Sequence, residues 1–298
     1  MIQAGYYLEA VRERRPLVHS ITNYVTVTDV ANMILACGAR PVMADLPREA
    51  AEVTAACDAL NINMGTMKDN SLDAMLLAGK EANRGNKPVV LDPVGVGMTM
   101  HRKEAVHMLL ENIRLDVIRG NLSEILELGQ IAWGSNVPEI QPGLRGSLES
   151  FHGGIGIDAG TEGAVSDANL VSYSLYFRKL AEKLGCVIVT TGALDLVTVP
   201  DRSWVIRNGR SEMSRVIGTG CMLDGLLASF LAAGEDALQA AAAAVCCMDI
   251  AGEIGWDRLQ PGEGNASYRD RMIDAVSCMS GEELDRYIEK SGKVCCIQ

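Results

Sequence analysis

Between residues 16 and 92 the chain repeats one pattern: a short apolar run breaks into polar or glycine residues and is followed by a stretch with helical spacing. The runs lie at 16–23, 41–44, 59–65 and 88–92. Val30, Met33, Ile34 and Cys37 share one face of a helix expected over 28–37, with Gly38 as its stop, and a second helix is expected around 72–83. Strands alternating with helices imply a parallel sheet whose faces are covered. The pattern therefore predicts an α/β fold with a mostly parallel central sheet and helices on both faces. In such sheets ligands bind beyond the carboxyl ends of the strands. Polar and glycine residues concentrate at those ends, at 19–23, Met43, 63–66, 92–97 and 119–124.

Strands at 115–118 and 186–190 and a helix over 174–184 continue the alternation. Residues 195–199 and 204–207, separated by Pro200-Asp201-Arg202-Ser203, read as a hairpin. Helices are expected at 4–14, after Gly218, and over 238–254, 268–279 and 282–290, with Ser280 and Glu283 spaced as a capping box. Residues 129–167 are rich in Gly and Ser and lack apolar periodicity, which suits a functional or flexible loop.

With 298 residues, 48% of them apolar, and no linker, the chain reads as a single domain over 1–298. A net charge of −11 argues against nucleic acid or an anionic membrane as partner, since both reward clustered Lys and Arg. Nine cysteines form no C-x-x-C pair and several sit in apolar runs, which suits free thiols in a reducing cytoplasm. The first fifteen residues lack the apolar core of a signal peptide, and no apolar run reaches membrane-spanning length. Cys295-Cys296-Ile297-Gln298 loosely fits a prenylation box, but without an upstream basic cluster it reads as chance.

Chemistry concentrates in four places. Gly218-Thr219-Gly220-Cys221-Met222-Leu223-Asp224 opens a small-residue helix, where glycines allow close backbone approach and the first free N–H groups suit an anion. Asp92 ends a strand and could hold magnesium or simply cap a turn. In Arg119-Gly120-Asn121-Leu122-Ser123-Glu124 the arginine suits a phosphate clamp and Glu124 a share of the magnesium, against a salt bridge across the helix start. Thr191-Gly192 offers a hydroxyl and backbone donors, or a satisfied turn. No G-x-x-x-x-G-K-[ST], early G-x-G-x-x-G or H-E-x-x-H is present.

These motifs resemble the hydroxyethylthiazole kinase family. Residues 16–23, Pro41-Val42-Met43-Ala44, Asn61-Ile62-Asn63-Met64-Gly65-Thr66, Asp92-Pro93-Val94-Gly95, 119–124, 189–192 with Asp195, and Gly218-Thr219-Gly220-Cys221 follow in the family's order. The resemblance also reaches Asn265-Ala266-Ser267-Tyr268-Arg269. It implies a ribokinase-like fold, a homotrimer with sites at subunit boundaries, and magnesium-dependent transfer of phosphate from ATP to the primary alcohol of 4-methyl-5-(2-hydroxyethyl)thiazole. By matching positions it implies Met43, Gly218 and Asn23 for the thiazole, Arg119, Thr191 and Asn121 for ATP, and Asp92 and Glu124 for Mg2+. Cys221 stands where related sugar and pyrimidine kinases carry an aspartate base, and Gly218, Gly220 and Cys221 would supply backbone donors to the transferring group. A thiolate at Cys221 is plausible at a helix N-terminus, but a loose phosphoryl-transfer transition state needs no strong base, so Cys221 is expected mainly to shape the phosphoryl pocket. A pyrimidine-alcohol kinase and a non-catalytic thiazole or nucleotide sensor are the rival readings. The chain departs from the family in the long stretch with Gly153-Gly154-Ile155-Gly156, and at Asp224, where the family more often has a small or hydroxyl residue. Asp224 is expected to complement the helix dipole from the first turn, or else to join the chemistry beside Cys221.

Overall fold

The structure, a computed structural model, describes residues 2–138 and 164–298. Strands β1 (Leu17–Ile21), β2 (Arg40–Val42), β3 (Ala59–Asn63), β4 (Val89–Asp92), β5 (Val117–Asn121) and β6 (Val187–Thr191) run parallel. Next come the antiparallel β7 (Asp195–Val199), β8 (Arg202–Ile206) and β9 (Val294–Ile297). Among the described residues they form one sheet in the order β2-β1-β3-β4-β5-β6-β7-β8-β9.

Successive strand residues point to opposite faces, and here each face feeds its own core. Ala59, Val90, Val117, Val187 and Val189 enter the first core. It is closed by α1 (Ala4–Arg14), α2 (Val27–Ala36), α8 (Thr219–Ala233), α9 (Ala237–Asp257) and α10 (Asn265–Cys278). Leu60, Ile62, Val89, Leu91, Ile118 and Ile188 enter the second. There the cover is α4 (Ser71–Arg84), α5 (Met100–Asn112), α6 (Leu122–Trp133) and α7 (Leu170–Leu184). Helices α3 (Pro47–Ala56) and α11 (Gly281–Ser291) pack on α4 and α1. The expected α/β architecture is thus the observed one. Ala240, Ala241, Ala242, Ala243 and Ala244 of α9 are fully buried, their small side chains letting the helix sit tightly among its neighbours. Among the described residues α9 alone is long and apolar enough to cross a membrane, but most of it is buried in this core.

Several expectations need correction. Helix α3 was not expected, because only Ala50 and Thr54 face inward and its apolar stripe is thin. Helix α5 was missed because Met100 and Met108 on its exposed side blur the pattern of buried Ala105, Val106 and Leu109. Residues 129–133 belong to α6 and 134–136 form one 3-10 turn, so the expected irregular segment begins later. Gly153-Gly154-Ile155-Gly156 lies outside the described residues. The C-terminal cysteines sit in β9, which pairs Trp204 with Cys296 and Val205 with Cys295.

One buried polar pair has a measurable consequence. Asp195 at the start of β7 accepts the Gly192 N–H at 2.8 Å and is hydrogen-bonded to Asp249 of α9. Burial pushes Asp195 up to about 6, and burial plus the Asp195 charge lifts Asp249 further, with Glu253 adding to the rise and Lys293 opposing it. The folded chain therefore holds a proton here that the unfolded chain releases. The stability tied to that proton is complete below the ordinary aspartate range and drains away as pH rises through about 6 and beyond. Asp249→Asn gives Asp195 an amide donor that needs no proton. Its melting temperature is expected to gain on the parent's as pH goes from 5 to 8. An offset that stays constant over that range would contradict the shared proton.

Candidate active site

The carboxyl ends of the parallel strands converge on the start of α8. Asn63 closes β3, Asp92 closes β4, Arg119 to Asn121 end β5 and Thr191 closes β6, with Asn63 opposite Asp92 and Asn121 opposite Thr191 in register. Helix α8 packs against β1, β3 and β4 and brings Gly218 to Asp224 over these ends.

Two glycines set this approach. Gly218 adopts φ +86°, and a Cβ there would stand 2.4 Å from Thr26 Cγ2. Gly220 is helical, but its Cβ would stand 2.3 Å from Nη1 and Nη2 of Arg119. The guanidinium thus lies directly against the first turn of α8. From there Nη1 donates to Asp92 Oδ2 at 3.1 Å and Nη2 to Thr191 Oγ1 at 2.9 Å. Burial opposes the Arg119 charge, but Asp92, Asp224 and Glu124 more than offset it and keep the group protonated. No side chain caps α8. A cation held against an uncapped helix N-terminus makes a concentrated positive site for an anion.

Beneath it lies an amide and carboxylate network. Asn63 Nδ2 donates to Asp92 Oδ2 at 2.7 Å and to Asp224 Oδ2 at 3.0 Å, and it lies 3.3 Å from Cys221 Sγ. Asn23 Nδ2 donates to Asn63 Oδ1 at 3.1 Å and to Cys221 Sγ at 3.2 Å, while Asn23 Oδ1 accepts from the Thr26 backbone and hydroxyl. Asp92 and Asp224 are wholly buried, and Oδ1 of each lacks a hydrogen-bond partner. Desolvation raises both carboxyls, Asp92 further through the Asp224 charge.

The thiol is not the thiolate that a helix N-terminus alone would make plausible. Burial, then the charges of Asp92 and Asp224, push Cys221 up to about 11. At neutral pH it is a protonated group filling space below the helix start. Cys221→Ser is therefore expected to lower kcat by less than the roughly hundredfold that marks loss of a general base. A larger loss with both substrate affinities intact would make the thiol a required base.

Glu124 comes from α6, Asn121 from β5, Met43 from just after β2 and Asp224 from α8. Glu124 completes a capping box on α6, where Oε2 accepts from Asn121 N at 2.9 Å and Oε1 accepts from Gly95 N at 2.8 Å. Burial and then Asp92 push its carboxyl up to about 7. Asn121 spends its side-chain oxygen on the same cap, accepting from Glu124 N and Ser123 Oγ. Met43 follows β2 and is half-buried against the first core. Asp224 stands in the second turn of α8, which has no acidic residue in its first turn, so the dipole-complementing expectation is corrected.

Sequence reasoning did not single out Asn63 or Arg102. Asn63 had a signal in ending a buried strand. Arg102 had none, because it works through backbone: its guanidinium donates to Met64 O, to Val94 O at 2.6 Å and to Gly65 O at 2.9 Å, tying the loops after β3 and β4 together.

The chain is similar to known proteins over most of its length. The sequence model of the hydroxyethylthiazole kinase family matches residues 8–137 and 146–282. A hydroxyethylthiazole kinase of Clostridium acetobutylicum is 43% identical over 279 residues, covering 93% of this chain and 95% of that protein. Another, from Clostridium botulinum strain Eklund 17B, is 37% identical over 292 residues, covering 97% and 95%. The solved hydroxyethylthiazole kinase of Pyrococcus horikoshii superposes with a TM-score of 0.79 at 30% identity, covering both chains completely. Staphylococcus aureus pyridoxal kinase in complex with ADP has a TM-score of 0.54 at 14% identity, covering 82% and 90%, a likeness of fold alone.

Proposed function

Because this chain belongs to the hydroxyethylthiazole kinase family, we propose that it transfers the terminal phosphoryl group of ATP to the primary alcohol of 4-methyl-5-(2-hydroxyethyl)thiazole. The observation that carries this reading is the guanidinium of Arg119 lying against the uncapped start of α8. A phosphoryl group in flight spreads negative charge over its equatorial oxygens, and fixed donors stabilise that charge without reorganising. The backbone N–H groups near Gly218, Gly220 and Cys221 and the Arg119 guanidinium beside them would meet it together. Thr191 and Asn121 complete the nucleotide side, and Met43, Asn23 and Gly218 take the thiazole. Asn23 arrives oriented, since Thr26, Asn63 and Cys221 fix both ends of its amide. In a loose transition state little proton removal precedes bond formation, so a protonated Cys221 is compatible with turnover.

The unpartnered Asp92 Oδ1 fits a magnesium ion, and Glu124, whose oxygens each already accept a backbone N–H, would share it through remaining lone pairs or water. A magnesium ion held there would help neutralise the charge of the phosphates.

The enzyme acts in thiamine salvage in a reducing cytoplasm, where nine free cysteines are at ease. We read the assembly as a homotrimer with sites at subunit boundaries. Tyr24, Val25, Leu46 and Ile217 support this, being large exposed apolar residues beside Asn23, Met43 and Gly218. Light scattering at the 31.9 kDa of one chain would remove the shared-site picture.

The deciding assay is ADP release with magnesium across thiazole and pyrimidine alcohols. Hydroxyethylthiazole is expected to turn over fastest. Equal or faster turnover of hydroxymethylpyrimidine would defeat the substrate assignment, and nucleotide binding without turnover of any alcohol would favour a sensor.

A further inference from the structure

We propose that Asp224 and Asp92 form a divalent-cation site in the floor of the phosphoryl pocket, which takes its ion before nucleotide arrives. The inference rests on the kinase reading for what the ion then does, but not for its binding.

The geometry points to a hard cation. Asp92, Cys221 and Asp224 each place a ligand atom within 4.8 Å of the others. Both aspartates are fully buried. Their Oδ2 atoms are engaged, Asp92's by Arg119 and Asn63 and Asp224's by Asn63, while neither Oδ1 accepts from any other donor and the two carboxyls face each other. The closest positive group to Asp224 Oδ1 is Arg119 Nη1, at 3.9 Å, which is too long for a hydrogen bond.

Charge counting leads the same way. Three acids, Asp92 from β4, Glu124 from α6 and Asp224 from α8, surround the single guanidinium of Arg119. Buried carboxylates beyond what one arginine neutralises are costly unless a proton or a metal joins them. Two carboxylate oxygens, beside a Cys221 Sγ already engaged by the amides of Asn23 and Asn63, select an oxygen-preferring ion such as Mg2+ or Mn2+ over zinc, which favours sulfur and nitrogen ligands. Ligand charge sets affinity in such sites, and a hydroxyl at position 224 would remove one of the two charges.

The test is Mn2+ titration of the full chain without nucleotide or thiazole, reading the loss of the free-ion EPR signal. The parent is expected to bind one Mn2+ per chain. Asp224→Asn and Asp224→Thr are each expected to weaken it by about tenfold or more. Mn2+ should raise the melting temperature of the parent and not of Asp224→Thr. Should Asp224→Asn fail to fold, Asp224→Thr supplies the measurement. Mn2+ uptake only after ATP is added, or unchanged affinity in Asp224→Thr, would overturn the proposal and leave a shared proton between the aspartates. ADP release by the parent separates the two readings. Kinase activity without nucleotide-free Mn2+ binding sinks the cation site alone. Asp224-dependent Mn2+ binding without thiazole turnover supports the site and sinks the kinase reading.

Discussion

Arg119→Met is expected to lower kcat/KM by about a thousandfold or more, the scale on which arginines that meet a transferring phosphoryl group act. It is also expected to destabilise the fold near neutral pH. Arg119 is nearly buried, bonded to Asp92 and Thr191 and 3.9 Å from Asp224. Methionine retains the volume and leaves those carboxyls without their cation. Breaking one side of a buried ion pair costs about 3–5 kcal/mol. Because Asp92 and Asp224 already favour protonation, part of that cost is escaped by taking up protons. The deficit in melting temperature should therefore shrink from pH 7 to pH 5. Arg119→Lys keeps the charge but not the planar fork that reaches Asp92 and Thr191 together, and should recover stability more than turnover. Near-parental turnover in Arg119→Met would remove the guanidinium from the chemistry.

Gly220→Ala should cost about a hundredfold in kcat, the scale of a 1 Å misplacement, while leaving the melting temperature close to the parent's. In an exposed helix alanine is favoured over glycine by about 1 kcal/mol. Here the added methyl would stand 2.3 Å from both terminal nitrogens of Arg119, so the end of that flexible side chain must shift away from the helix start while staying paired with Asp92. Gly218→Ala is the contrast. Its φ of +86° and the Thr26 methyl at 2.4 Å put the strain in the backbone, so it should lower the melting temperature, strain of this kind costing about 1–3 kcal/mol. Equal behaviour of the two variants, or full activity in Gly220→Ala, would contradict the separation between holding the loop and seating the arginine.

Much of this arrangement was legible in the sequence because burial on both sheet faces makes strands read as apolar runs and their ends as polar breaks. Asp92, Arg119 and Thr191 could be placed at strand ends, and Gly218 and Gly220 at a helix start, without coordinates. The helix pattern failed where the inward stripe was thin, as in α3, or diluted by exposed methionines, as in α5. Asp224 was misread for a different reason. Its distance along the helix from Gly218 was visible, but nothing local revealed that Asn63 and Asp92 would arrive from β3 and β4 to bury it. Glu124 was read as a magnesium ligand or a salt bridge across the helix start, and the cap it makes with Asn121, with Gly95 as an added tie, went unread although its spacing suits one.

The order of strands in the sheet bears on how the protein reaches its working state. The β7–β8 hairpin joins residues near in sequence, whereas Arg119 and Thr191 are 72 positions apart, Asn63 and Asp224 161, and Asn23 and Cys221 198. Closing such long loops is slow because chain entropy is lost before the contacts that reward it have formed. Catalytic competence is thus a late event in refolding, and a chain that has regained its helical signal and its local hairpin still lacks a working site.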